Sequence, residues 1–184
     1  MAHNPDFSHR RSIRIKEYNY ADNGAYFVTL CTKNKQCIFA DIKQGKIKIC
    51  ALGAIAHNCW LKISEHFPHV ILDVFVIMPN HVHGILWLNN SQKPVNEARS
   101  FGNIVAGSLS SVIRSYKAAV TKEINYICGQ KGTSLVWQRN YYEHIIRDEK
   151  ALQEIRKYIV ENPLNWDKDP EYSLSREILL DLPF

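Results

Sequence analysis

The stretch Val70-Ile-Leu-Asp-Val-Phe-Val-Ile-Met78-Pro-Asn80-His81-Val82-His83-Gly-Ile-Leu-Trp-Leu88 decides the fold. Its first nine residues are apolar and β-branched except for Asp73, and its last eight form a second apolar run. Both read as strands, with Pro79-Asn80 as a turn or bulge and the pair as an antiparallel hairpin. Upstream, Ala25 to Thr32 reads as a buried strand entered from the turn Asp22-Asn23-Gly24. Cys37 to Ala40 and Lys46 to Ile49 suggest a short hairpin. From Ala51 the residues Leu52, Ile55, Ala56, Cys59, Trp60 and Ile63 recur at helical spacing as far as His66-Phe67-Pro68.

Downstream, Asn89 to Ser100 reads as a loop, and Ile104 to Tyr126 as a long amphipathic helix exposing Arg114, Lys117 and Lys122. A Gly-rich loop at Cys128 to Ser134 leads to a short strand, Leu135 to Gln138. Asp148 is the expected N-cap of a last helix with the stripe Leu152, Ile155, Tyr158 and Ile159. Asn162 is expected to end that helix, because the residue before a proline disfavours the helical region. The order strand, hairpin, helix, two strands, helix, strand, helix predicts an α+β fold: an antiparallel sheet with helices packed on it and a ferredoxin-like split β-α-β core.

Length and composition bound the function. With 184 residues, 46% hydrophobic and 22% charged, the chain is expected to be one globular domain able to bury a core without disulfide or structural metal. The longest apolar run is far below the roughly 20 residues of a membrane helix, and the N-terminus lacks the apolar core of a signal peptide. A non-exported protein is therefore expected, its five cysteines packing as reduced thiols. The net charge of +5 permits a polyanionic partner. Arg10, Arg11, Arg14 and Lys16 form a basic arm ahead of the first strand, and Arg114 with Lys117 offers a basic strip at i and i+3.

Two pairs of residues carry chemistry. His81 and His83, two apart on a strand, project from one face and can reach one metal ion. Tyr158 and Asn162, four apart on a helix, lie on one face, where a phenol and an amide oxygen can point at a metal held by a neighbouring strand. A TIM barrel is excluded by length, and no P-loop, His-Glu-x-x-His or Gly-x-Ser-x-Gly pattern is present.

Met78-Pro-Asn-His-Val-His83, Trp137-Gln-Arg-Asn-Tyr-Tyr-Glu-His-Ile-Ile-Arg-Asp148 and Tyr158-Ile-Val-Glu-Asn-Pro163 together resemble the IS200-like single-tyrosine (HUH) transposases, most of all their REP-associated tyrosine transposase branch. The resemblance runs from about Arg11 to Trp166 and includes Gly24 to Thr32. It implies an HUH endonuclease core at 18–166, between a basic arm at 1–17 and a C-terminal tail at 167–184. It further implies a metal-dependent single-strand DNA endonuclease and strand transferase acting at hairpin DNA. His81 and His83 would bind Mg²⁺ or Mn²⁺, Tyr158 would be the nucleophile forming a 5′-phosphotyrosine link, and Asn162 would complete the metal site where IS200-type enzymes carry Gln. Tyr141 and Tyr142 rank below Tyr158, since their segment matches the approach to the last helix. Arg10, Arg11, Arg14, Lys16, Arg114 and Lys117 are the expected phosphate contacts. The expected setting is cytoplasmic and nucleoid-associated, as monomer or homodimer, and the alternative is a domesticated hairpin-DNA-binding protein without turnover.

Overall fold

The computed structural model describes residues 23–89, 105–129 and 136–172. A strand β1 (Gly24–Cys31) leads through a short 3-10 turn to a ribbon of β2 (Ala40–Lys43) and β3 (Lys46–Ile49). Gln44 and Gly45 at its tip both have positive φ, as a two-residue hairpin turn requires. Helices α1 (Ala51–Leu61) and α2 (Ile63–His66) precede the hairpin β4 (Val70–Ile77) and β5 (His81–Leu88). Then follow α3 (Leu109–Ile127), β6 (Tyr142–Ile146) and α4 (Glu149–Glu161). No helix among the described residues is long and apolar enough to cross a membrane.

The main sheet has the order β4-β5-β1-β6, and every neighbouring pair is antiparallel. β5 thus lies between β1 and β4, which α1 connects, and β1 lies between β5 and β6, which α3 connects. These are two interlocked split β-α-β units, the ferredoxin-like arrangement expected from the element order.

The two-residue period of β1 and β5 sorts their side chains onto two faces. Tyr26, Val28, Leu30, Val82, Leu86 and Leu88 join Trp60, Val112, Tyr116 and Val120 of α1 and α3 in the larger core. Ala25, Phe27 and Ile85 join Leu152 and Ile159 of α4 in a smaller one. The indole of Trp60 occupies the space where Gly84 lacks a side chain; a Cβ there would stand 2.3 Å from a ring carbon. Helix α3 is capped by Ser108 and α4 by Asp148, whose Oδ1 accepts from Ala151 N at 2.8 Å.

Three expectations need correction. Of the strand foreseen at Leu135 to Gln138, whose first residue lies outside the described residues, 136–138 form one bridge, Thr32 with Trp137, and the fourth sheet strand is β6. As an edge strand with polar residues among its apolar ones, β6 has a weaker hydrophobic signal than the Val-Trp pair before it. The long helix begins at Leu109, after Gly107 at φ 75° and the Ser108 cap. Helix α4 ends at Glu161 as the proline predicts; Pro163 lacks the N–H for the α ladder, and the chain continues over Asn162–Lys168 in 3-10 turns kinked at Asn165. All five cysteines are free, but Cys50 is exposed rather than packed.

Helix α4 is tied to the sheet through Asp73, which lies where the β4–β5 register shifts between Leu72 and Phe75. Its carboxylate accepts from Arg156 Nε at 3.1 Å, Arg156 Nη2 at 2.6 Å and Trp87 Nε1 at 3.0 Å. The Arg156 hydrogen bonds hold its pKa at about 2 against an ordinary 3.8. A carboxyl whose folded pKa is lowered stabilises the fold above its unfolded pKa and stops doing so as pH falls through its folded pKa. The Asp73 contribution should therefore be complete above about pH 4 and vanish near pH 2. Urea unfolding of wild type and Asp73→Asn should show a gap in midpoint that closes across this window. Gly84→Ala should cost about 1–3 kcal/mol through overpacking against Trp60, read in the same assay at neutral pH.

Candidate active site

His81 and His83 open β5 on the face covered by α4, opposite Cys31 and Thr29 of β1. Both are buried, and their rings lie 4.3 Å apart between centroids. The amide of Asn80 donates to Lys35 O at 3.1 Å and Glu171 O at 2.8 Å, so its Oδ1 is left to accept. It lies 2.8 Å from His81 Nδ1, which assigns the His81 proton to Nδ1 and a bare lone pair to Nε2. His81 Nε2 is buried and has no hydrogen-bond partner among the described residues. His83 is positioned in the same way by Thr29 Oγ1, 2.9 Å from its Nδ1.

Helix α4 brings Tyr158 and Asn162 over this pair. Tyr158 Oη is 3.2 Å from His83 Nε2 and donates to Asp169 Oδ2 at 3.1 Å. Asn162 Nδ2 donates to the same Oδ2 at 2.6 Å, and Glu171 N to Asp169 Oδ1 at 2.6 Å. Asn162 Oδ1, like His81 Nε2, is buried without a hydrogen-bond partner among the described residues. Burial alone would raise the Asp169 carboxyl, but the neighbouring His83 ring and the hydrogen bond from the Asn162 amide prevail and hold it well below the usual carboxylate range. Burial, and secondarily His83, push the His81 imidazole well below its ordinary value, leaving it neutral. Burial followed by the Asp169 charge raises the Tyr158 phenol, so in the protein alone it stays protonated.

These donors fit a divalent cation. His81, His83 and Asp169 each offer a ligand atom, all within 4.8 Å of one another and all on buried residues. Two buried acceptors without hydrogen-bond donors among the described residues, His81 Nε2 and Asn162 Oδ1, are costly in a closed protein, and a cation would satisfy them. Two imidazoles, a carboxylate and an amide oxygen form a mixed nitrogen and oxygen set of the kind Mn²⁺ accepts.

The four residues expected at the centre, His81, His83, Tyr158 and Asn162, thus meet in one place. The phosphate contacts fare differently. Arg10, Arg11, Arg14 and Lys16 lie outside the described residues. Arg114 is exposed on α3, but Lys117 donates to Gln138 O at 2.6 Å and Asn140 O at 3.2 Å and stands 6.0 Å over the Trp137 ring. Burial lowers its pKa to about 8. Its ammonium holds the loop before β6, so the basic strip expected with Arg114 is not a pair of free cations. Asp169 went unforeseen, since it lies in the segment read as a tail; its only signal was an acid shortly after the family-like span.

Comparison with known proteins follows from this geometry. No family model matches the chain. An uncharacterized protein of Haemophilus influenzae is 40% identical over 179 residues, 92% of this chain and 97% of its own length. A second protein of the same organism, provisionally named a REP-associated tyrosine transposase, is 28% identical over 114 residues, 58% of this chain and 56% of its own length. Among solved structures, a REP-associated tyrosine transposase bound to a REP hairpin superposes with a TM-score of 0.53 at 23% identity, covering 82% of this chain and 74% of that one. The chain has the fold of the REP-associated tyrosine transposases. In this chain His81 and His83 open a central strand of that fold, and Tyr158 sits on the helix that covers that face.

Asp169 is the shared acceptor of the site. Asp169→Ala removes the acceptor of Tyr158, Asn162 and the Glu171 amide and should cost about 2–4 kcal/mol, whereas Tyr158→Phe removes one bond and should cost less than about 1.5 kcal/mol. Urea denaturation of the two variants checks the ordering.

Proposed function

We propose that the protein is a metal-dependent single-strand DNA endonuclease and strand transferase acting at hairpin DNA, with Tyr158 as nucleophile. The observation that carries this reading is the half-exposed Tyr158 hydroxyl, 3.2 Å from His83 Nε2, beside two buried acceptors without donors. His81 Nε2, His83 Nε2, Asp169 and Asn162 Oδ1 would hold the cation, Mg²⁺ or Mn²⁺. When bound, it would polarise the scissile phosphate and offset charge on its non-bridging oxygens.

The chain's own residues supply the rest. Tyr158 Oη forms the new bond to phosphorus as the bond to the 3′-oxygen breaks, its proton ending in net on that oxygen, giving a 5′-phosphotyrosine and a free 3′-hydroxyl. Because the phosphodiester energy is retained, another 3′-hydroxyl can reverse the step and join strands. His83 and Asp169, both hydrogen-bonded to other groups, fix where the phenolic oxygen stands before attack. Asn162 keeps Asp169 in place through its amide.

Tyr158 reaches His83 within a single chain, which supports a monomer as the active unit. Hairpin DNA as substrate is supported by the fold shared with a transposase solved on a REP hairpin. The basic arm with Arg10, Arg11, Arg14 and Lys16, together with exposed Arg114, would contact phosphates, and the setting would be the nucleoid.

The test is a labelled single strand carrying a hairpin from beside the protein's own gene, incubated with Mg²⁺, Mn²⁺ or chelator. A protease-sensitive covalent adduct should form only with metal. Tyr158→Phe should lose it while hairpin affinity changes by less than about threefold, roughly 0.6 kcal/mol. Cleavage by Tyr158→Phe would refute the assignment, and hairpin binding without any adduct would favour the domesticated binder.

A further inference from the structure

Building on that nuclease reading, we propose that edge strand β6 is the track by which the single strand enters the site, with Tyr142 stacking on a base next to the scissile phosphate. Thr29 of β1 is the cross-strand partner of both His83 on β5 and Tyr142 on β6, so the three residues form one row across the sheet. Directly paired residues point to the same face, which puts Tyr142 on the face that carries His83 and Tyr158. With strands about 4.8 Å apart, Tyr142 stands two strand spacings, about 10 Å, from His83. Phe27 lies between the two tyrosines, edge-on to Tyr142 at 6.3 Å and to Tyr158 at 6.1 Å.

The two flanks of the site differ. On the His81 side, Asn80, Trp166 and the chain through Tyr172 close over the imidazole, which is fully buried. On the β6 side, Tyr142 is 50% exposed, and His144, its neighbour on the same face, is exposed as well. The strand ends the sheet, so its outer edge is unpaired among the described strands. Arg139 and Arg147, both exposed, stand before and after it. An aromatic on an open edge is normally a hazard for self-association. Cations at the two ends with an aromatic between them match how sequence-tolerant single-strand binders hold a backbone and stack its bases. Lys117 contributes indirectly, since it fixes the carbonyls on either side of Arg139.

The experiment compares a hairpin carrying a single-stranded flank with the same hairpin lacking it, by fluorescence anisotropy in Mg²⁺-free buffer. Tyr142→Ala should weaken binding of the flanked hairpin about five- to 150-fold, with the loss confined to flanked DNA, and Tyr142→Phe should restore it because stacking needs no hydroxyl. Abasic sites scanned through the flank should include one that weakens wild type to a similar degree and adds nothing to Tyr142→Ala. Equal binding by Tyr142→Ala and wild type, or strictly additive penalties at every abasic position, overturns the proposal. So does a phenotype limited to self-association, which would make β6 a protein interface. Failure of wild type to bind either DNA would instead overturn the nuclease reading beneath it.

Discussion

A single carboxylate joins the end of α4 and the segment after it to the start of β5, far away in sequence. Asp169 accepts from Tyr158 and Asn162 at the end of α4 and from the backbone of Glu171, and its Oδ2 lies 3.7 Å from His83 Nε2. Remove that anion and Tyr158, Asn162 and the closing segment lose their common acceptor. The segment is also fastened from the opposite side. Lys35 donates to Pro170 O at 3.1 Å and pairs with Glu171, while the Asn80 amide reaches Glu171 O. Asn80 in turn sets the His81 tautomer. The same stretch of chain therefore supplies a carboxylate to the site and orients one of its imidazoles, a coupling typical of metal centres whose outer partners aim the ligands.

The electrostatics have a common direction. Burial and the neighbouring charges favour a neutral His81, an ionised Asp169 and a protonated Tyr158. A phenol whose ionisation is opposed by burial and by a neighbouring carboxylate is a poor nucleophile until that negative charge is offset. Under the proposed function, the arrangement would tie the reactivity of Tyr158 to a cation bound beside it.

Much of this was legible in the sequence because it rests on short periods. The two-residue repeat of a strand puts His81 and His83 on one face whatever else the fold does. The four-residue repeat of a helix stacks Tyr158 over Asn162, and the helical backbone of Asn162 preserves that spacing past the last α hydrogen bond. What escaped depends on contacts made by distant chain. Asp169 acts because the 3-10 helix returns it to His83, a path that the proline at 163 seemed to forbid by its effect on local geometry. Lys117 read as a solvated cation because nothing in its helical spacing reveals that the carbonyls of Gln138 and Asn140 would cover it. Strand β6 was missed because an edge strand needs an apolar pattern on only part of its surface, and its Tyr142 and His144 face outward.

The most direct test of the central claim, that His81, His83 and Asp169 form a cation site beside Tyr158, is a crystal structure of the protein grown with Mn²⁺, with anomalous differences collected near the manganese edge. The account predicts a peak bounded by His81 Nε2, His83 Nε2 and the Asp169 carboxylate, and its disappearance in His81→Ala. Manganese found only on the surface, with the Tyr158 to Asp169 hydrogen bond unchanged, would contradict it.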